Sequence, residues 1–139
     1  MSWAARAVLC FVAVFAVVGV GGQSRSAFAA EREPFSNERF EELKADGTPF
    51  LVVFYAPWCS TCRRQEQILT SLRKEAEFSK VRELGVNWDE GVEHRAPFSI
   101  SRRSTIVAFR GPTEVGRIVA STKEGEIREL LKRAVAEGS

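Results

Sequence analysis

Apolar positions recur with two different periods along this chain, and the places where the period changes mark its elements. Ala7 to Gly22 is an unbroken run of 16 apolar or glycine residues. Beyond it, Phe40 and Leu43 share one side of a helix that Ser36 can cap and Gly47 can end. Pro49 to Tyr55 is continuously apolar at strand length, the pattern of a central strand covered on both faces. From Cys59 to about Glu77 the positions of Cys62, Gln65, Leu69, Leu72 and Ala76 fall at helical spacing. Val81 to Asn87 reads as a second strand, diluted by Arg82, Glu83 and Gly85, and Glu90 to Phe98 as a short helix limited by Pro97. Thr105 to Phe109 and Val115 to Ala120, joined by residues 110–114, read as a hairpin. Ser121 and Glu124 then form a capping box for a helix lined by Ile127, Leu130, Leu131 and Val135. The order helix, strand, helix, strand, helix, strand, strand, helix predicts an α/β fold, a mixed sheet with helices on both faces.

The first apolar run is a targeting signal rather than part of the fold. Arg6 precedes it, and Ala27-Phe28-Ala29 supplies small residues at cleavage positions, so residues 1–29 read as a secretory signal peptide cut after Ala29. An uncleaved anchor is the alternative, but a spanning helix needs about 20 apolar residues. Cys10 follows Leu9 rather than a small residue, so it is no lipoprotein cysteine and leaves with the leader. The remainder, residues 30–139, is enough for one domain and too short for two.

Composition narrows the partners. The whole chain carries 20 basic and 18 acidic residues, but Arg6 and Arg25 belong to the leader, so the exported part is formally neutral. Nothing in that balance suggests nucleic acid. Removal of Cys10 leaves Cys59 and Cys62 as the two cysteines, in a compartment where disulfides persist.

Those two cysteines stand where an apolar strand gives way to a helical pattern. The first turn of a helix carries unsatisfied N–H groups and about half a positive charge, which stabilise a thiolate. Cys59, at the exposed start, is therefore the expected attacking thiolate, with a pKa in the range of about 3.5 to 7.5 against about 8.5 for a free cysteine. Cys62, one turn deeper, is the expected resolving thiol. Ser60 and Thr61 offer hydroxyls and N–H groups to the sulfur, and Arg63 adds a positive field near it. A structural disulfide is the bland alternative, but closing a four-residue loop contributes only about 2 kcal/mol. Half of a zinc site is another; tetrahedral zinc needs more ligands than two cysteines and His94.

The segment Phe54-Tyr55-Ala56-Pro57-Trp58-Cys59-Ser60-Thr61-Cys62 after an apolar strand resembles the active-site signature of the thioredoxin family. The likeness runs on through Phe98-Ser99-Ile100, the loop and strand from Arg102 to Phe109, the turn Arg110-Gly111-Pro112-Thr113, and the last helix up to Leu131. The resemblance implies a thioredoxin-like three-layer fold over residues 30–139 and a thiol–disulfide oxidoreductase whose redox-active disulfide, Cys59–Cys62, needs no cofactor and no metal. It implies a substrate surface at Trp58, Arg103 and Ser104. The family places a cis-proline where this chain has Ser104, with Arg103 as the residue whose backbone pairs with an extended substrate. It also places a buried, proton-accepting aspartate where this chain has Val53. Exported relatives with large helical insertions do not fit in 110 residues.

The function expected is that of a periplasmic thiol–disulfide oxidoreductase. It would act as a monomer, reduce or exchange disulfides in protein partners, and be recharged by a membrane electron donor. A non-catalytic protein-binding or metal-carrying module on the same fold is the alternative, which the missing proline keeps open.

Overall fold

The computed structural model describes residues 32–136; the leader and Cys10 lie outside them. Its elements are β1 (Glu33–Pro34), α1 (Asn37–Asp46), β2 (Pro49–Tyr55), α2 (Ser60–Leu72), β3 (Arg82–Asn87), α3 (Val92–Arg95), β4 (Thr105–Arg110), β5 (Thr113–Val119) and α4 (Glu124–Val135), with short 3-10 turns at Ala76–Phe78 and Ala96–Phe98. The five strands lie in the order β1-β3-β2-β4-β5. β1 and β2 run parallel to β3, whereas β4 is antiparallel to β2 and β5 to β4. This is the expected mixed sheet with helices on both faces.

β2 is central because its side chains can be buried on either side. Leu51 and Val53 point to the face that α2 and α4 cover, where they meet Ile68, Leu69, Leu72, Ile127, Leu130 and Leu131. Phe50, Val52 and Phe54 point the other way, into a core shared with Leu43, Phe98 and Phe109. That second core is largely aromatic: Phe50 stacks on Phe109 with centroids 5.0 Å apart, and Phe40 meets Phe50, Phe98 and Phe109 edge-on. Such pairs add about 0.5–1.5 kcal/mol each beyond their area burial. α1 delivers Phe40 and Leu43 to it, with Ser36 accepting the Arg39 N–H at its start and Gly47 at φ +73° closing its end, as the pattern predicted.

Several boundaries differ from the expectation. Glu33–Pro34, ahead of the first element the pattern marks, is an edge strand pinned by ion pairs from Glu33 to Arg39 and Arg82. The helix expected to reach Glu77 stops at Leu72, and the chain turns so that Phe78, rather than Ala76, enters the core. Pro97 cannot continue an α-helix, so the segment expected as one helix divides into α3 and a 3-10 turn. The capping box does not form: α4 begins after Lys123 without a side-chain cap, because the Ser121 hydroxyl accepts the Lys123 N–H in the preceding turn.

The polar residues that blurred β3 in the sequence have a purpose in the packing. In the register of the sheet Glu83 lies beside Leu51 and Gly85 beside Val53, so Glu83 faces the layer of α2. It is fully buried, and Arg73 from the end of α2 and Arg32 from the chain before β1 hold its two oxygens at 3.0 and 3.2 Å. Glu66 pairs with both arginines. Gly85 makes room for this arrangement, since a Cβ there would come within 2.6 Å of the Arg32 side chain.

Burial pushes the Glu83 carboxyl above its ordinary value of 4.5, while Arg32 and Arg73 pull it back. An acid whose pKa is raised by folding binds its proton more tightly folded than unfolded. It therefore contributes stability below the unfolded value, and that contribution is lost as pH rises through the folded value. Replacing Arg73 with methionine is expected to destabilise the domain by about 3–5 kcal/mol, more at pH 8 than at pH 5, because it leaves a buried carboxylate short of a partner. Urea unfolding across that range checks this; a loss that is small and independent of pH would count against it.

Candidate active site

β2 ends at Tyr55, and the next residues carry the chain over the carboxyl end of the sheet to the start of α2. Cys59 is the N-cap of that helix, with extended backbone angles, and its sulfur accepts the N–H of Cys62 at 3.2 Å. An N-cap position normally takes a small side chain with an acceptor oxygen; here a sulfur occupies it. No acidic residue lies in the first turn of α2 to oppose the helix dipole. Cys59 and Cys62 are joined as a disulfide with Cα atoms 5.3 Å apart. Cys59 was expected at an exposed helix start, but both cysteines are buried, at 5 % and 7 % exposure, because Tyr55 and Trp88 pack against the small cluster they form with Ala56.

Ser104 faces this pair from the loop before β4. Its hydroxyl oxygen lies 3.1 Å from each sulfur. The peptide bonds of the described residues are all trans, and Ser104 has φ +60°, in the left-handed region that costs most residues about 1–2 kcal/mol. The surrounding bonds hold it there. Its N–H donates to the Phe54 carbonyl and its own carbonyl accepts the Ala120 N–H, both at 2.8 Å.

A third bond to this loop comes from Gln65, whose importance the sequence pattern did not reveal. The Gln65 side chain is 1 % exposed, and its amide nitrogen donates to the carbonyls of Ser104 and Ser121 at 3.1 and 3.0 Å. Two carbonyl partners fix which end of the amide points at them. Gln65 thus ties α2 to the loop that carries Ser104 and to the loop before α4. Its place on the buried face of an amphipathic helix was the available signal, since a glutamine there needs partners of its own.

The remaining predicted residues surround the pair at different depths. Trp58 is 56 % exposed; its indole N–H donates to Asp89 at 2.9 Å, and the Arg103 guanidinium sits 4.4 Å from the ring centroid. Trp88 packs against the cysteine cluster and carries Arg95 at 4.0 Å over its ring. Ser60 and Arg63 are exposed and Thr61 half-buried on the first turn of α2. Neither the Ser60 nor the Thr61 hydroxyl bonds a sulfur; that contact is made by Ser104 and the Cys62 N–H. His94 lies away from the disulfide, with its ring 4.9 Å from that of Phe35.

Val53 is buried in the core, as a valine there should be. Among the described residues the buried carboxylate is Glu83, beside Leu51 rather than Val53 and occupied by Arg32 and Arg73. A cavity of about 550 Å³ opens along β3 and β1, lined by Arg32, Tyr55, Gly85, Asn87 and His94, but neither cysteine nor Ser104 lines it.

A helix-capping disulfide at the end of a central strand, opposed by a loop from the next antiparallel strand, is the arrangement of thiol–disulfide oxidoreductases. The thioredoxin family model matches residues 32–133, so the chain belongs to the thioredoxin family. A thioredoxin of Rickettsia bellii is 39 % identical over 102 residues, covering 72 % of this chain and 95 % of that protein. Thioredoxin 1 of a Nostoc species is 28 % identical over 105 residues, covering 76 % and 96 % respectively. Among solved structures, Trxlp from Edwardsiella tarda superposes with a TM-score of 0.69 at 34 % identity, covering 73 % of this chain and 98 % of that one.

Gln65→Ala should cost about 1–2 kcal/mol, since it removes the side-chain donor of the Ser121 carbonyl and leaves the Ser104 carbonyl with the Ala120 N–H alone. Urea unfolding of the oxidised protein measures this, and a change within about 0.5 kcal/mol, the range of ordinary surface substitutions, would remove Gln65 from the site.

Proposed function

We propose that this chain is an exported thiol–disulfide oxidoreductase of the periplasm, which reduces or exchanges disulfides in protein partners and is recharged by a membrane-bound electron donor. The observation that carries the chemistry is the Cys59–Cys62 disulfide capping α2, with its first sulfur bonded to the Cys62 N–H. The leader pattern of residues 1–29 and the two cysteines left after its removal support the location.

In the reduced protein Cys59 attacks a disulfide of the partner, forming a mixed disulfide and releasing one partner thiolate. Cys62 then attacks the Cys59 sulfur, restoring the internal disulfide and releasing the second partner thiol. The partner chain lies across Trp58 and the loop of Arg103 and Ser104. Neither the N–H nor the carbonyl of Arg103 is taken up by another backbone group among the described residues, so both are open to an extended segment. Arg63 on the first turn of α2 and Arg103 beside Trp58 make no ion pair among the described residues, and their field favours both the thiolate and acidic partner segments. Ser60 and Thr61 then act through the backbone of the turn that presents Cys59.

Reduced protein is expected to cleave insulin disulfides, Cys59→Ser to abolish this, and Cys62→Ser to accumulate mixed disulfides. If wild-type protein with free thiols leaves insulin intact, the chain is a binding module on a redox fold. For the location, mass spectrometry of protein from a cell envelope fraction should find a mature chain beginning at Ala30; an intact leader on membrane-bound protein would make it an anchored domain instead.

A further inference from the structure

Among the described residues, Ser104 is the one whose hydroxyl meets both reacting sulfurs. Its oxygen is 3.1 Å from Cys59 Sγ and 3.1 Å from Cys62 Sγ, and the residue is 3 % exposed. A hydroxyl has one proton to give and two lone pairs to offer. In the disulfide neither sulfur carries a proton, so Ser104 can only donate, and a neutral disulfide sulfur is a weak acceptor.

Reduction changes both ends of this contact. Two electrons and one proton convert the disulfide into a Cys59 thiolate and a Cys62 thiol. They come from a dithiol that becomes a disulfide and sheds its second proton to solvent. The thiolate is then a charged acceptor for the Ser104 O–H, and the Cys62 S–H is a donor to the Ser104 oxygen. Charge-assisted hydrogen bonds are roughly twice as strong as neutral ones. Ser104 therefore holds the reduced form more tightly than the oxidised form.

Burial makes the contact matter. The sulfurs lie among Ala56, Tyr55 and Trp88, which offer no charge to an anion. The Cys62 N–H and the helix dipole stabilise the thiolate from the α2 side, and Ser104 does so from the opposite side. The Cys62 thiol has no bonded carboxylate either, since Glu83 is engaged by Arg32 and Arg73. The left-handed backbone of Ser104 and the Gln65 clamp keep the hydroxyl aimed at the pair.

We propose that the Ser104 hydroxyl is a member of the reacting centre, donating to the Cys59 sulfur anion and accepting from the Cys62 thiol, so that it sets the balance between the dithiol and the disulfide. This rests on the exchange chemistry proposed above. A proline in this place would supply neither the donor nor the acceptor.

The test uses the full mature chain with Ser104→Ala and Ser104→Gly. Glycine removes the hydroxyl while tolerating φ +60°, so it separates loss of the bond from backbone strain. Both variants should raise the Cys59 thiolate pKa by about one unit in an ultraviolet titration. Both should also shift the equilibrium with glutathione about tenfold toward the disulfide, which for a two-electron couple is about 30 mV. If the variants match wild type in titration and equilibrium while insulin is still reduced, Ser104 only fills space and the proposal is overturned. If wild-type protein itself shows no exchange, the functional reading fails instead, and the two failures are distinct.

Discussion

The whole arrangement depends on β2 being buried on both faces at once. Phe50 to Phe54 are between 0 % and 2 % exposed, and burying side chains of this size contributes about 1.5–3 kcal/mol each. Leu51 and Val53 commit one face to α2 and α4, and Phe50, Val52 and Phe54 commit the other to α1 and the aromatic cluster. A strand gripped in this way has no freedom to slide, because a shift of one residue would exchange its two faces. Its carboxyl end is therefore a fixed point, and α2 starts from there. The disulfide inherits its position from that grip.

Two electrostatic arrangements flank this frame and work in opposite senses. On the α2 face, Glu83 is buried and compensated by Arg32 and Arg73, with Glu66 completing the group. Such a group adds little net stability, because desolvation offsets most of the attraction, yet removing one member is costly. Its effect is to fix how the end of α2 and the chain before β1 sit against β3. At the other end of α2, the charge is the one that forms on Cys59, and its direct partners are dipoles, the helix start, the Cys62 N–H and the Ser104 hydroxyl, with Arg63 and Arg103 acting only through their field. A charge met by dipoles can appear and vanish as the disulfide is cycled, whereas one locked between guanidinium groups cannot.

The elements themselves were largely legible. The apolar run of β2, the helical spacing of α2 and α4, and the pairing of β4 with β5 all appear, because each is encoded in neighbouring residues, although Arg110, Thr113 and Glu114, expected in the hairpin loop, belong to its strands. The ends were less so. Phe78 draws the chain out of helix at Leu72, Pro97 divides the segment after Gly91, and Ser121 spends its hydroxyl before α4 begins, each a choice made by packing or by a competing local bond.

By itself the sequence determined that two thiols stand one helical turn apart at a strand-to-helix junction, and from that the class of chemistry follows. Only the tertiary structure decided what surrounds them. Ser104 is 45 residues from Cys59, and Gln65 is 39 residues from Ser104 and 56 from Ser121. Glu83 meets Arg32 across 51 residues. Contacts at such separations are set by the register of the strands and the packing of α2, which no local pattern of apolar and polar positions contains.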